Sequence, residues 1–220
     1  MSENRPMNPA TAADDPAAAA PDYSLLTPDD LYLFNEGSHF RLYEKLGAHP
    51  VNDDRLQGTY FAVWAPNAGQ VSVIGDFNGW NKLSHPLQPK GSSGIWEGMV
   101  AGLDKGALYK YHIISRIDNY QVDKADPLAV FNQIAPEKAS VVWDLDYRWQ
   151  DQAWMADRGR HNALDAPMAI YEVHPGSWQR VPEEDSRPLT YRELAPKLTE
   201  YVAQMGFSHV ELLPIMEHPF

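Results

Sequence analysis

The chain of 220 residues has no cysteine, which removes disulfides and thiolate metal sites and agrees with a cytoplasmic protein. It also lacks any apolar run near the roughly 18 residues that would mark a membrane helix, and its N-terminus lacks the basic-then-apolar pattern of a signal peptide. Cations are few: 18 Lys and Arg stand against 30 Asp and Glu, a net charge of −12. Nucleic-acid affinity depends on counterions released by Lys and Arg, so this balance argues against a polyanionic partner. Hydrophobic residues, at 44%, exclude a wholly disordered chain. Aromatic surface is plentiful, with seven Trp and eleven Tyr. Flat rings with a polar edge can lie against sugar faces, which points to a neutral, hydroxyl-rich ligand, although burial in a core is the commoner fate of any one Trp.

The clearest structural signal lies near the end. Ala166–His174 is a short β-rich apolar run that stops at Pro175-Gly176, and His209–Leu213 is a second one that stops at Pro214. Between them Thr190-x-x-Glu193 has the form of a capping box, and Leu194, Leu198, Tyr201, Val202 and Met205 form one helical stripe ending at Gly206. Pro196 conflicts with that stripe: either the first turn is separate and Pro196 opens the true helix, or the helix kinks there. Strand, helix, strand is the βαβ unit of a parallel sheet. Parallel strands need cover on both faces, so more strands are expected to follow, and the chain reads as an N-terminal piece of a longer protein.

Residues 1–22 are rich in Ala, Pro and Asp and predict a disordered tail. Residues 23–57 predict a helical and loop lead-in. Thr27 is its N-cap and Pro28 its first helical residue, and His39–Pro50 is either one further turn or a linker packed on the next domain. Residues 58–143 predict an antiparallel β-sandwich, from runs at 59–64, 70–74, 95–100, 108–115, 120–122 and 140–142 separated by turn residues. Along 108–115, alternation puts Tyr109, Tyr111 and Ile113 on a core face and Lys110, His112 and Ile114 on a mostly exposed one. A polar strand face beside the turn that presents Trp80 is where a flat binding site could form. Residues 144–165 read as a connector. Its acids Asp144, Asp146 and Asp151 lack the glycine-bearing loop and closing Glu of a calcium-binding EF-hand, so they read as solvated.

Several stretches together resemble the bacterial 1,4-alpha-glucan (glycogen) branching enzymes of the alpha-amylase superfamily. They are Phe40–Pro50, Phe61–Asn67, Val73–Asn81, Tyr109–Tyr111, Lys124–Pro127, Tyr171–Trp178 and Met205–Phe220. Phe77-Asn-Gly-Trp-Asn81 alone is shared with isoamylases, trehalohydrolases and glycogen-binding subunits of kinases. Leu46-Gly-Ala-His-Pro50 and Leu212-Leu-Pro-Ile-Met-Glu-His-Pro219 narrow the likeness. The resemblance implies a multidomain protein: an immunoglobulin-like sandwich acting as a glucan-binding module, then, from residue 166 to 220, the first βαβ unit of a truncated (β/α)₈ TIM barrel, a fold that needs about 250 residues.

It also implies retaining transfer of an α-1,4-glucan segment to a 6-hydroxyl, glycogen or a starch-like polysaccharide as partner, no cofactor or metal, and a monomer. Such chemistry needs a carboxylate nucleophile and a carboxylic acid about 5–5.5 Å apart. The family carries these on later barrel strands, and no stretch here matches their motifs, so no catalytic residue is assigned and the chain alone is expected to be inactive. The likeness to glycogen-binding domains maps Trp80 and Tyr120 onto stacking aromatics and Lys110 onto a residue that hydrogen-bonds sugar hydroxyls. Packing of Trp80 on the barrel is the competing role. His174, Glu217 and His218 fall just past strand ends, where local hydrogen bonding weighs more than sugar contact, and Glu172 and Glu211 lie within the strand runs. A non-catalytic glucan-binding module and a hydrolase relative such as an isoamylase or a maltooligosyl trehalohydrolase are the alternatives.

Overall fold

The computed structural model describes residues 23–52 and 56–216. The tail expected at 1–22 and the side chains of Glu217 and His218 lie outside the described residues. The chain divides into two compact units, Met1–Tyr147 and Arg148–Phe220.

The first unit opens with α1 (Pro28–Glu36), where the Thr27 side chain accepts from the Asp30 N–H and Asp30 accepts from the Thr27 N–H in a reciprocal cap. Asp30 also meets His39 Nε2 at 2.8 Å and Lys45 Nζ at 3.1 Å. Burial pushes its carboxyl up, but these hydrogen bonds outweigh it and hold the group well below the usual carboxylate range. Where a further turn or a linker was expected, a 3-10 turn at Leu42–Glu44 leads into a strand, β1 (Gly47–Asn52). Pro50 does not prevent this because β1 is an edge strand, where a missing N–H is tolerated.

Two antiparallel sheets follow. One has the order β1, β2 (Gln57–Trp64), β5 (Ile95–Ala101), β4 (Gln88–Pro89). The other places β3 (Ala68–Gly75) on one side of β6 (Leu108–Ser115), with β7 (Gln121–Lys124) and β8 (Ser140–Val141) in succession along its other side. Val71, Val73, Tyr109 and Tyr111 point inward and pack with Phe61, Val63, Leu87, Val100 and Val142.

This core encloses a carboxylate. The Tyr109 and Tyr111 hydroxyls donate to Asp126 Oδ2 at 2.7 and 3.1 Å, and the Leu128 N–H donates to Oδ1 at 2.8 Å. The Asp126 N–H in turn reaches Ser140 Oγ on β8 at 2.9 Å. Burial pushes the Asp126 carboxyl above its ordinary value against the pull of those donors.

The second unit has α2 (Gln152–His161), none of whose residues is buried, in the segment read as a connector. It then has β9 (Ile170–Val173), the short helix α3 (Pro175–Trp178), the small hairpin of β10 (Arg180–Val181) and β11 (Arg187–Pro188), α4 (Tyr191–Met205) and β12 (His209–Leu212). Strands β9 and β12 pair in parallel, Ile170 with His209 through Val173 with Leu212, so the βαβ unit is present. Helix α4 buries Leu194, Leu198 and Val202 against Val173 and Leu189, while Tyr201 and Met205 of the predicted stripe remain partly exposed.

Pro196 does not begin α4 but lies within it. The helix runs unbroken from the Thr190 cap, and Pro196 leaves the Arg192 carbonyl without its helical N–H. The ends compensate. Glu193 closes the capping box and pairs with Arg187 at 2.9 Å, and Gly206 turns left-handed at φ 78° so that the Phe207 N–H reaches the Val202 carbonyl.

Two outcomes follow from these packings. Asp126→Ala leaves two tyrosine hydroxyls and one N–H without an acceptor and is expected to cost roughly 3 kcal/mol or more, against about 1 kcal/mol for Tyr111→Phe. Urea unfolding read by near-ultraviolet circular dichroism measures both, and equal losses would remove the carboxylate from its structural role. The Glu193 carboxyl, held by Arg187 first and the Thr190 N–H second, falls from 4.5 to about 2. A lowered acid stabilises the fold above its unfolded value and ceases to do so as pH drops through the folded one, so the α4 cap should persist through pH 4 and loosen toward pH 2. Carboxyl NMR titration tests this, with Arg187→Met expected to return the midpoint toward 4.5.

Candidate functional site

The candidate site sits on the outer face of the β3-β6-β7 sheet, under the loop that leaves β3. Gly75 ends that strand because a Cβ would run into the Leu108 carbonyl and the Phe77 ring. After it, Asp76–Asn78 make one 3-10 turn, locked by the Asn78 side chain. Asn78 Oδ1 accepts from the Gly75 N–H at 3.0 Å, and Nδ2 donates to the Val73 carbonyl at 3.0 Å.

Gly79 and Trp80 then both take left-handed backbone, at φ 61° and 59°. Glycine does so freely, but for a bulky residue the conformation costs of order 1 kcal/mol and persists only where its surroundings impose it. Here the Trp80 N–H is held by the Gly75 carbonyl at 2.8 Å. The ring, 38% exposed, has Lys110 Nζ 5.7 Å from its centroid, an attractive cation–π placement. Lys110 faces Ile74 across the β3–β6 ladder, which brings it beneath the loop.

Tyr120 is not brought to this pair. It precedes β7, and its carbonyl accepts from the Ser115 N–H. Ser115 lies five residues beyond Lys110 on β6, about 17 Å away at 3.4 Å per residue. Its ring is 63% exposed.

The face around Lys110 differs from the expectation of exposure. Ser72, Ile74 and His112 are all buried on it, His112 at 3% exposure. Ser72, His112 and Asp123 are register neighbours in a row across β3, β6 and β7. His112 Nδ1 meets Asp123 Oδ1 at 2.6 Å, and Lys82 of the loop reaches Asp123 Oδ2 at 3.2 Å. Sequence reasoning passed over Lys82 and Asp123. The period-two pattern had put His112 beside Lys110, but only the fold shows a loop crossing that face.

In the second unit His174 caps α3, and its Nδ1 lies 3.0 Å from Ser177 Oγ. With Pro188, Thr190, Tyr191 and Pro214 it lines a hollow of about 680 Å³ at the carboxyl ends of β9 and β12. Glu172 and Glu211 stand side by side in the parallel ladder. Tyr171 and Val173, which alternate with Glu172, pack toward α4, so the two carboxylates occupy the opposite face. Asp144 is taken up by Lys105 at 2.8 Å.

Residues 45–129 match the family described as carbohydrate-binding module 48 (isoamylase N-terminal domain). The chain is 54% identical over 199 residues to the 1,4-alpha-glucan branching enzyme GlgB of Aquifex aeolicus, covering 90% of this chain and 31% of that protein. It is 54% identical over 197 residues to GlgB of Rubrobacter xylanophilus, covering 89% and 27%. The chain thus spans about a third of the length of the curated relatives it matches. Among solved structures, PulA from Klebsiella oxytoca superposes with a TM-score of 0.55 at 26% identity, over 80% of this chain and 18% of that one. Klebsiella pneumoniae pullulanase complexed with maltotriose gives 0.56 at 23%, over 79% and 18%, a likeness of fold. Over about nine-tenths of its own length the chain is thus similar to bacterial 1,4-alpha-glucan branching enzymes, and its residues 45–129 to carbohydrate-binding module 48.

Proposed function

We propose that the chain is the N-terminal part of a cytoplasmic glycogen branching enzyme, in which the sandwich holds α-glucan at Trp80 and Lys110. The observation that carries the binding site is the left-handed Trp80 held over Lys110: backbone energy is spent to keep a large ring at the surface beside a cation. A sugar face can stack on the ring, and an ammonium with three donors can meet its hydroxyls. Tyr120, about 17 Å along the strand, takes part when the glucan is long enough to reach it.

The parallel β9–β12 pair with α4 supports reading residues 166–220 as the opening of a (β/α)₈ barrel, joined to the sandwich by the connector at 144–165. The 54% identity to branching enzymes, against 26% to the pullulanase PulA, favours transfer over hydrolysis. The catalytic carboxylates of such a barrel stand on later strands, so these residues bind glucan without cleaving it.

Trp80→Ala is expected to abolish most of the retardation of the chain in glycogen-containing native gels, while Tyr120→Ala weakens retardation by glycogen more than it weakens binding of maltotriose. Unchanged mobility of Trp80→Ala would remove the loop as a glucan site. Incubated with amylose, the 220-residue chain should form no α-1,6 links. A protein that continues it through the remaining barrel strands should form them without releasing reducing ends, and such release would mark a hydrolase instead.

A further inference from the structure

We propose that Lys82, Asp123 and His112 form a latch that fixes the Trp80 loop on the outer face of the sandwich, acting as positioning residues for glucan. The inference rests on the reading of Trp80 and Lys110 as the glucan site and adds what holds that site in shape.

The two halves of the loop are secured differently. Asn78 ties the first half to β3 through the Gly75 N–H and the Val73 carbonyl. From Asn81 to Ser84 the hydrogen bonds are internal: the Leu83 N–H donates to Asn81 Oδ1, and Ser84 Oγ donates to the Asn81 carbonyl. They shape a turn that the backbone returns to β3 at His85, whose carbonyl accepts from the Val73 N–H. Between that tie and the Trp80 N–H held by the Gly75 carbonyl, Lys82 adds a hold on the far side of the sheet. Strand β7 lies on the far side of β6 from β3, so an ion pair from the β3 loop to Asp123 on β7 spans the face that carries His112 and Lys110.

An exposed ion pair contributes little when two mobile side chains must be ordered at once. Here Asp123 is already oriented, because the buried His112 grips its other oxygen at 2.6 Å. Burial pushes the Asp123 carboxyl up, and the hydrogen bonds from His112 and Lys82 outweigh it, holding the group below its ordinary value. Only Lys82 therefore needs to be ordered for the latch to close. With the loop pinned two residues beyond Trp80, the ring is held over Lys110 before ligand arrives, and less freedom is lost on binding.

The test is titration calorimetry of the full chain with maltoheptaose. Lys82→Met and Asp123→Asn should each weaken binding by about two- to five-fold, the scale of one ordered ion pair. The double variant should be no weaker than the worse single one, since both break the same tie. Lys82→Arg should restore binding, and the thermal midpoint should move by less than the affinity loss would require of a general loosening. Losses that add, or a loss in Lys82→Met that Asp123→Asn does not share, would make Lys82 a direct sugar ligand and overturn the latch. A drop in thermal midpoint that accounts for the lost affinity would overturn it as well. Full affinity in all three single variants while Trp80→Ala abolishes binding would refute the latch and leave the glucan site standing. Full affinity in Trp80→Ala would remove that underlying reading, and the latch with it.

Discussion

The sandwich depends on a carboxylate placed where apolar side chains would ordinarily go. Asp126 gathers the hydroxyls of Tyr109 and Tyr111 and the N–H of Leu128, and its own N–H reaches Ser140. The arrangement joins β6 to the segment after β7 and to β8, so the order of strands along β6 is written into one buried group. The tyrosine rings meet Phe61 of the opposite sheet edge-on, at 5.1 and 6.4 Å between centroids, which carries the constraint across the core. An unpaired polar group there would cost more than its hydrogen bond returns, so the network acts as a unit.

Much of this was legible in the sequence, for physical reasons. Six strands of the sandwich announced themselves through β-branched and aromatic runs between turn residues, and β6 was read with its observed ends, Leu108 and Ser115. The capping box at Thr190, the left-handed Gly206 and the parallel pairing of the strands flanking α4 followed from local chemistry and periodicity. What escaped left no signal of its own in the run of residues. β1 contains Gly47 and Pro50, which read as breakers, and it is a strand because β2 supplies the hydrogen bonds it lacks internally. Helix α2 has few apolar residues and buries none, so no stripe betrayed it.

The site was half legible. Turn residues around Trp80 and the alternation along β6 brought Trp80 and Lys110 together correctly. Alternation also labelled His112 as exposed, which fails because a face can be covered by its own loop as well as by a second sheet. Tyr120 was joined to the pair on likeness alone, and strand geometry separates it. The same limit applies to Pro196: a helix interior rejects proline locally, yet a capped, well-packed α4 absorbs the loss.

The left-handed backbone at Trp80 sets two demands on one residue in opposition. Glycine or asparagine would sit there with less strain, and a search for thermostable variants would reward either. Such a search would erase the ring and leave a sturdier module without the surface proposed to stack on a sugar. Position 80 is therefore where durability and the proposed glucan contact are exchanged for one another, and any programme to harden this protein should hold it fixed.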